Sequence, residues 1–205
     1  MILSIDVGKK NLALCLGDKR GKIKKWEKIS LVEEKVCESC KKNKATKVYN
    51  KIQKFICKNK KCEIELRQIY PKPGRQSKYK SKSGDINLIC NNIEKYLQNY
   101  SCSLCLIENQ PVLANPSMKT VQMLIFGYFR FLKKTTVQLI NARDDYTTFG
   151  VNLPSKLKDK KQKAVYICKN VLNKKWLEYF NTFKKQDDLA DSFLQYYKYI
   201  KDNVV

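Results

Sequence analysis

The chain begins with a near-continuous apolar run, MILSIDV, which one acidic residue, Asp6, interrupts. Such a run predicts a buried strand inside a sheet. LALCLG and KIKKWEKISL follow the turn sequences GKKN and DKRG, so residues 1–31 are predicted to form an antiparallel meander of three strands. An ionised carboxylate in a buried strand is costly unless it is paired or bound to a cation. Asp6 therefore either bonds the N–H groups of the GKKN turn or belongs to a charged site.

Helices and strands alternate in the rest of the chain. Helical spacing of apolar residues predicts one helix that Ser83 caps and a second that Ser117 caps. Buried strands are predicted over CSLCLIE and TTVQLINA, and two last helices over about 159–173 and 187–201. This order predicts an α/β fold in which helices flank a mixed sheet.

The net charge of +23, from 42 Lys and Arg against 19 Asp and Glu, points to a polyanionic partner. Nucleic acid fits this charge better than an anionic membrane surface, and a merely soluble protein needs far less charge. No stretch approaches the roughly 20 apolar residues of a membrane span, and no basic leader precedes the first strand. We therefore expect a protein that is neither membrane-bound nor secreted.

The chain has nine cysteines and no histidine. Without a secretory signal, cysteines indicate a reducing compartment such as the cytoplasm, where metal ligation is more common than disulfides. The lack of histidine excludes histidine-based catalysis and histidine metal ligands. Any catalysis must use carboxylates, lysine, cysteine or a bound metal.

Residues 32–69 form a predicted insertion with the spacing C-x₂-C and C-x₄-C, at Cys37, Cys40, Cys57 and Cys62. Two such pairs joined by a hairpin predict a tetrahedral Cys₄ zinc site of the zinc-ribbon type. The alternative is four unrelated thiols in a disordered basic loop. A basic linker is predicted over 70–82, and positions 41–82 carry fifteen Lys or Arg against two Glu.

Acidic residues at three distant places could form one site. Asp6 lies in the first strand, Glu108 ends a later strand, and Asp188 and Asp191 share a face of the last helix. Four carboxylates in one place need compensating charge, and their oxygens suit Mg²⁺ or Mn²⁺. Two such ions about 3.5–4 Å apart can promote phosphodiester hydrolysis without histidine.

The segments SIDVGKKNLAL, LIENQP with NPSMKTVQMLIFGYF, and KKQDDLADSFLQ resemble the three acidic motifs of RuvC-like Holliday junction resolvases, in particular those of poxviruses and other large DNA viruses. The resemblance covers about 150 residues, 1–31 and 83–205, and implies an RNase H-like nuclease domain with a five-stranded sheet. It also implies Mg²⁺-dependent nicking of four-way junctions by a homodimer at a viral replication site, the host cytoplasm being the expected place. Viral resolvases of this type mostly lack a cysteine insertion, so the resemblance does not explain that segment.

Transferred residue by residue, the resemblance makes Asp6, Glu108, Asp188 and Asp191 the catalytic metal ligands and leaves Asp187 free to cap the helix. The family has basic residues that approach the scissile phosphate, and the segment PSKLKDKKQK offers Lys156, Lys158 and Lys161 as candidates for them; the alternative is that these are solvated lysines. The helix VQMLIFGYFRFL is either a dimer interface or a buried core helix. The insertion is expected to add phosphate contacts on a junction arm.

Two other functions remain open from the sequence. One is a ribonuclease H that acts on RNA–DNA hybrids, since that superfamily shares the acidic scaffold. The other is a non-catalytic zinc-containing protein that binds nucleic acid. The presence of all four acids favours an enzyme.

Overall fold

A computed structural model of the chain describes residues 1–32, 35–79, 85–113, 115–141 and 147–203. These form two compact units, which we name the sheet unit (Met1–Leu31 and Ile86–Val205) and the insert unit (Val32–Asp85). The strands are β1 Ile2–Asp6, β2 Leu12–Gly17, β3 Ile23–Ile29, β4 Lys47–Tyr49, β5 Lys54–Ile56, β6 Gln76–Lys78, β7 Leu104–Glu108 and β8 Thr136–Ile140. The α-helices are α1 Lys60–Ile69, α2 Ile86–Leu97, α3 Pro116–Gly127, α4 Lys160–Val171, α5 Lys174–Asn181 and α6 Asp187–Asn203.

The sheet unit contains a mixed five-stranded sheet of order β3-β2-β1-β7-β8, which confirms the predicted architecture. The first three strands form the expected antiparallel meander, and β7 and β8 continue the sheet in parallel from β1. Ile5 pairs with Ile107 in the parallel register, so Asp6 and Glu108 end neighbouring strands at the same edge. Strand alternation then directs both acids to the same face.

Helix α6 packs across β1 and β2 and lies against α4. The core on this face is centred on Trp26 of β3, which is almost fully buried and stacks on Phe180 of α5 with ring centroids 5.2 Å apart. The Trp26 indole N–H donates to Leu189 O at 3.1 Å and to Ser192 Oγ at 3.2 Å. One strand residue therefore holds the first turns of α6 against the sheet.

A close approach at Gly17 fixes the other end of this contact. A Cβ atom at Gly17 would lie 2.2 Å from the Tyr196 ring, so only glycine leaves room for that ring. The Tyr196 hydroxyl donates to Asp18 O at 2.6 Å. Together with Trp26, this contact determines how α6 lies over β1 and β2.

The insert unit is built around a three-stranded sheet of order β5-β4-β6. Tyr49, Ile56 and Leu66 pack with three of the cysteines on one face of this sheet, so α1 covers that face. Residues 76–78 lie in the segment predicted as a linker but form β6, because their backbone pairs with β4. The rest of that segment from position 80 onward lies outside the described residues.

Other helix boundaries differ from the prediction. Asn115 rather than Ser117 caps α3, because its side chain accepts from Met118 N and Pro116 occupies the first helical turn. The helix continues as one π-helical turn, Tyr128–Leu132. Helix α5 was not predicted, and Ser83, the predicted cap of α2, is outside the described residues. None of the helices in the described part of the chain has the length and apolar character needed to cross a membrane.

Candidate active site and cysteine cluster

Asp6 and Glu108 lie beside each other at the ends of the neighbouring strands β1 and β7. Burial, followed by the neighbouring Glu108 carboxyl group, raises the pKa of Asp6 well above its usual range. Gln110 Nε2 also donates to Glu108 Oε2 at 3.1 Å and holds that carboxyl in place.

Helix α6 brings its acids toward this pair. Asp191 and Asp188 both contribute negative charge that raises the pKa of Asp6. Desolvation, followed by the charges of Glu108, Asp187 and Asp188, raises the pKa of Asp191 to about 7. Asp191 is nevertheless exposed on one side, where water reaches it, so the neighbouring negative charges are the main physical cause of its raised pKa.

Three lysines accompany the acids of α6. Lys161 Nζ donates to Asp187 Oδ2 at 2.8 Å, and Lys185 Nζ lies 2.7 Å from Asp188 Oδ2 and 3.5 Å from Asp187 Oδ1. Lys28 of β3 is 3.6 Å from Asp188 Oδ2 and donates to the carbonyl of Lys185. Burial alone would raise the pKa of Asp187, but the hydrogen bond from Lys161 and the charge of Lys185 outweigh it and lower that pKa.

The sequence-predicted basic residues separate into two groups. Lys161 lies at the start of α4, next to the acids. Lys156 and Lys158 are exposed residues of the loop that precedes α4. Lys28 and Lys185 were missed, although Lys185 adjoins the acidic motif; Lys28 comes from a distant strand, and no local pattern indicates its contact.

The carboxylate oxygens of these acids are the type of ligand that a hard divalent cation binds. Asp6, Glu108 and Asp191 crowd negative charge, as the raised pKa values of Asp6 and Asp191 report. A bound cation would favour the deprotonated carboxylates and relieve their repulsion. No group of three acids among the described residues is as tightly gathered as the cysteines, and Asp188 is engaged by lysines.

The four predicted cysteines of the insert unit lie together. The sulfur atoms of Cys37, Cys40, Cys57 and Cys62 are all within 4.8 Å of one another. Cys57 Sγ and Cys62 Sγ are 3.6 Å apart, which is close to the roughly 3.8 Å edge of a tetrahedron with metal–sulfur bonds of about 2.3 Å. All four are free thiols, so the cluster fits a tetrahedral thiolate site.

Hydrogen bonds to sulfur favour a thiolate in this cluster. Backbone N–H groups of Lys42 and Asn43 lower the pKa of Cys40 to about 6. Ser39 lowers the pKa of Cys62, but desolvation and the other sulfurs outweigh that contact and raise it to about 12. The pKa values of Cys40 and Cys62 are therefore shifted in opposite directions, as expected of neighbouring groups that compete for one charge.

The second cysteine pair departs from the predicted paired knuckles. Cys57 follows β5, whereas Cys62 lies in the first turn of α1. Asn59 caps this helix by accepting from Lys61 N at 3.0 Å. The four residues between the cysteines therefore supply a turn and a helix cap, which explains the longer spacing.

The chain is similar to a curated protein and to several solved structures. It is 30% identical over 193 residues to an uncharacterised protein of Acanthamoeba polyphaga mimivirus, an alignment that covers 78% of this chain and 46% of the relative. The chain thus spans about half the length of the curated relative that it matches. No protein-family model matches it.

Two of the similar solved structures are resolvases. The fowlpox virus resolvase, in a crystal structure with its substrate Holliday junction DNA, matches with a TM-score of 0.50 and 16% identity over 98% of this chain and 99% of that one. The yeast mitochondrial Holliday junction resolvase matches with a TM-score of 0.54 and 15% identity over 98% of this chain and 78% of that one. At this identity the likeness establishes the fold, which is that of the Holliday junction resolvases.

Proposed function

We propose that this chain is a divalent-metal-dependent endonuclease that resolves four-way DNA junctions. The observation that carries the proposal is the position of Asp6 beside Glu108 and near the α6 acids, in a fold shared with two Holliday junction resolvases. The net charge of +23 suits a DNA substrate. Fold alone does not define activity, so the acids are the decisive part of the argument.

In this proposal Asp6, Glu108, Asp188 and Asp191 hold the cations. Mg²⁺ or Mn²⁺ bound there would activate a water and stabilise the leaving oxygen in phosphodiester hydrolysis. Asp6 and Asp191 must lose the protons that their raised pKa values favour before they can act as ligands. Lys161 and Lys185 supply positive charge beside the acids, where a phosphate would otherwise be repelled.

We also propose that the cysteine cluster holds Zn²⁺. The close approach of the four sulfurs and the thiolate-favouring contacts at Cys40 support a soft, tetrahedral cation. Metal binding would supply folding free energy to a unit whose own apolar core is small. In this arrangement the zinc is structural, because four cysteine ligands leave no open position for a substrate.

A homodimer is the proposed active form. Met123 of α3 and Phe131 and Leu132 of the π-helical turn are exposed large apolar residues, and Leu132 is 72% exposed. A two-fold dimer would present two sites to a junction of approximate two-fold symmetry. Sedimentation equilibrium of the wild type and of Phe131→Ser with Leu132→Ser tests this; a monomeric wild type, with and without junction DNA, would remove the claim.

The mimivirus relative supports a viral origin, and we propose that the enzyme works at a viral replication site in the host cytoplasm. Fractionation of infected cells, with detection of the chain alongside newly made viral DNA, tests this location.

The central experiment compares cleavage of a labelled four-way junction, a linear duplex of the same sequence and an RNA–DNA hybrid. We expect nicks in opposed strands of the junction when Mg²⁺ is present and little cutting of the other two substrates. Magnesium is withheld rather than chelated in the control, because a chelator would also compete for the cysteine-bound metal. Preferential cutting of the hybrid would replace this function with ribonuclease H activity.

Variants connect the activity to the acids. Asp6→Asn and Asp191→Asn are expected to abolish nicking while junction binding remains, because each removes one ligand charge without removing the fold. Asp202→Asn, a change of the same kind at an exposed position of α6, serves as the matched control. Wild-type cutting by either active-site variant would refute the assignment.

A further inference from the structure

The insert unit has one sheet face that its own helix does not cover. Tyr49 and Ile56 point toward α1 and the cysteines. Val48 pairs with Phe55 on one side and Ser77 on the other, so these three alternate to the opposite face. Within the described residues of this unit, no helix lies on that opposite face, which we name the open face.

Two aromatic rings occupy the open face. Phe55 and Tyr79 are both half-buried, with centroids 4.9 Å apart and planes at 77°. A perpendicular contact leaves at least one face of each ring uncovered by the other ring. The two rings extend the β-sheet surface with aromatic area that the unit's own core, on the other side, does not use.

Internal contacts hold the open face in shape. Glu38 accepts from Phe55 N at 3.1 Å, and the backbone N–H of Glu38 donates to Phe55 O at 2.9 Å. Both backbone groups of Phe55 are therefore hydrogen-bonded along the outer edge of β5. On β6, the Ser77 hydroxyl donates to Asn50 Oδ1 at 3.0 Å. Tyr79 N donates to Thr46 O at 2.8 Å and continues the ladder beyond β6. The backbone that carries Phe55 and Tyr79 is therefore held in place by hydrogen bonds.

The charge of the unit indicates what would cover these rings. Between residues 35 and 79 the described acids are three, Glu38, Glu63 and Glu65, and each is engaged within the unit: Glu38 with Lys54 at 2.7 Å, Glu63 with Lys47 at 2.9 Å and Glu65 with the Ser39 hydroxyl. Lysine and arginine greatly outnumber them. The surface offered to a partner is thus strongly positive and carries aromatic rings, a combination that suits nucleic acid rather than an acidic protein, since bases can stack where phosphates are attracted.

We propose that the open face binds an unpaired nucleic acid strand, with bases stacked on Phe55 and Tyr79. Double-helical DNA keeps its bases stacked on each other and presents mainly phosphates, so the rings would add nothing to duplex binding. Arg75 immediately precedes β6 and is exposed, so its charge is available to a phosphate. This binding does not depend on the acids of the sheet unit and would stand if the chain proved unable to cut DNA.

The test measures fluorescence anisotropy of the full chain with a labelled 15-nucleotide oligo-dT and with a 15-base-pair duplex, without added magnesium. Phe55→Leu and Tyr79→Ala are each expected to weaken oligo-dT binding between about fivefold and a hundredfold, since stacking on one ring contributes that much. Duplex binding should change less than twofold. Tyr79→Phe keeps the ring and should bind as the wild type does.

Two further readouts separate stacking from misfolding. Bound metal, measured by mass spectrometry of the elements, should be the same in the variants as in the wild type. Photocrosslinking of the wild type to bromodeoxyuridine-substituted oligomer needs no variant, and the crosslinks should fall on peptides that contain Phe55 or Tyr79. Crosslinks confined to other peptides, or oligo-dT binding unchanged in metal-loaded Phe55→Leu and Tyr79→Ala, would overturn the proposal.

Discussion

From the acid cluster we predict that, in the absence of Mg²⁺, Asp191→Asn stabilises the protein although it removes activity. Asp191 has a pKa raised from its ordinary 3.8 to about 7, so between these values the folded chain holds a proton that the unfolded chain has released. Stability contributed by this group therefore falls as pH rises from 3.8 toward 7, and the loss is complete above 7. Asparagine carries no charge and escapes that loss.

The size of the effect follows from the pKa change. For a carboxyl group shielded from water, the change would cost about 4 kcal/mol at pH 8. Asp191 is exposed on one side, so solvent screens the repulsion, and we take half of that figure, about 2 kcal/mol. For a chain of this length, about 2 kcal/mol raises the melting temperature by roughly 4–8 °C. At pH 5 the stabilisation should be smaller, because part of the loss develops above that pH.

The assay is thermal unfolding at pH 5 and pH 8 without added Mg²⁺, repeated with Mg²⁺ at pH 8. Magnesium should stabilise the wild type more than Asp191→Asn, because the ion binds the carboxylates that the variant lacks. Asp202→Asn is the control, since Asp202 is 44% exposed and 4.0 Å from Lys198, and it should change the free energy of unfolding by less than about 0.5 kcal/mol. If Asp191→Asn melts at or below the wild type at pH 8 without metal, the reasoning from charge repulsion is wrong.

Three further predictions concern the site, the core and the insert unit. Magnesium-dependent nicking should rise between pH 6 and pH 8, with less Mg²⁺ needed for half-maximal rate, because protons on Asp6 and Asp191 compete with the ion; a flat profile would contradict this. Trp26→Phe should lower the free energy of unfolding in urea by about 2 kcal/mol, since it removes a buried hydrogen bond and part of a stack, whereas the half-buried Trp176→Phe should cost less. Cys57→Ser should release the metal and speed hydrogen exchange across residues 36–79 but not across β7; protection kept throughout the insert would show that metal does not stabilise it.

The sheet was predictable because each of its main strands has a local apolar pattern in the sequence. The run that forms β1 has Ile2, Leu3 and Ile5 almost fully buried, and β7 repeats this with Cys105, Leu106 and Ile107. Once both strands are assigned, acids at their ends are expected at one edge of the sheet, and the observed register confirms that neighbourhood for Asp6 and Glu108. Four acids as one metal site remain a prediction.

Elements that depend on short or distant contacts were not predictable. Helix α5 has eight residues, and two residues separate it from α4, so its pattern merges with that of α4. Its start depends on Asn173, whose side chain accepts from Trp176 N at 3.1 Å. Strand β6 has no apolar alternation, and its pairing with β4 stabilises a segment whose composition indicates a linker.

Cysteine geometry shows the same limit. Alternation in a strand predicts that Cys102 and Cys105 point to opposite faces. The two side chains nevertheless interact, since Cys105 lowers the pKa of Cys102. Strand β7 begins at Leu104, so Cys102 precedes it and the alternation rule does not apply there.

The lysines around Asp188 suggest how the site balances its charge without metal. Asp188 lies 2.7 Å from Lys185 and 3.6 Å from Lys28, whereas Asp6 lies beside Glu108 and has a raised pKa. A cation that draws Asp188 into the cluster must compete with Lys185 for its oxygens, so Lys185→Met should tighten metal binding even as it removes a phosphate-attracting charge. Magnesium titration by calorimetry would show this as a lower dissociation constant, and Lys184→Met, at the exposed neighbouring position, is the matched control. A weaker or unchanged affinity in Lys185→Met would mean that Lys185 does not compete with the ion for the oxygens of Asp188.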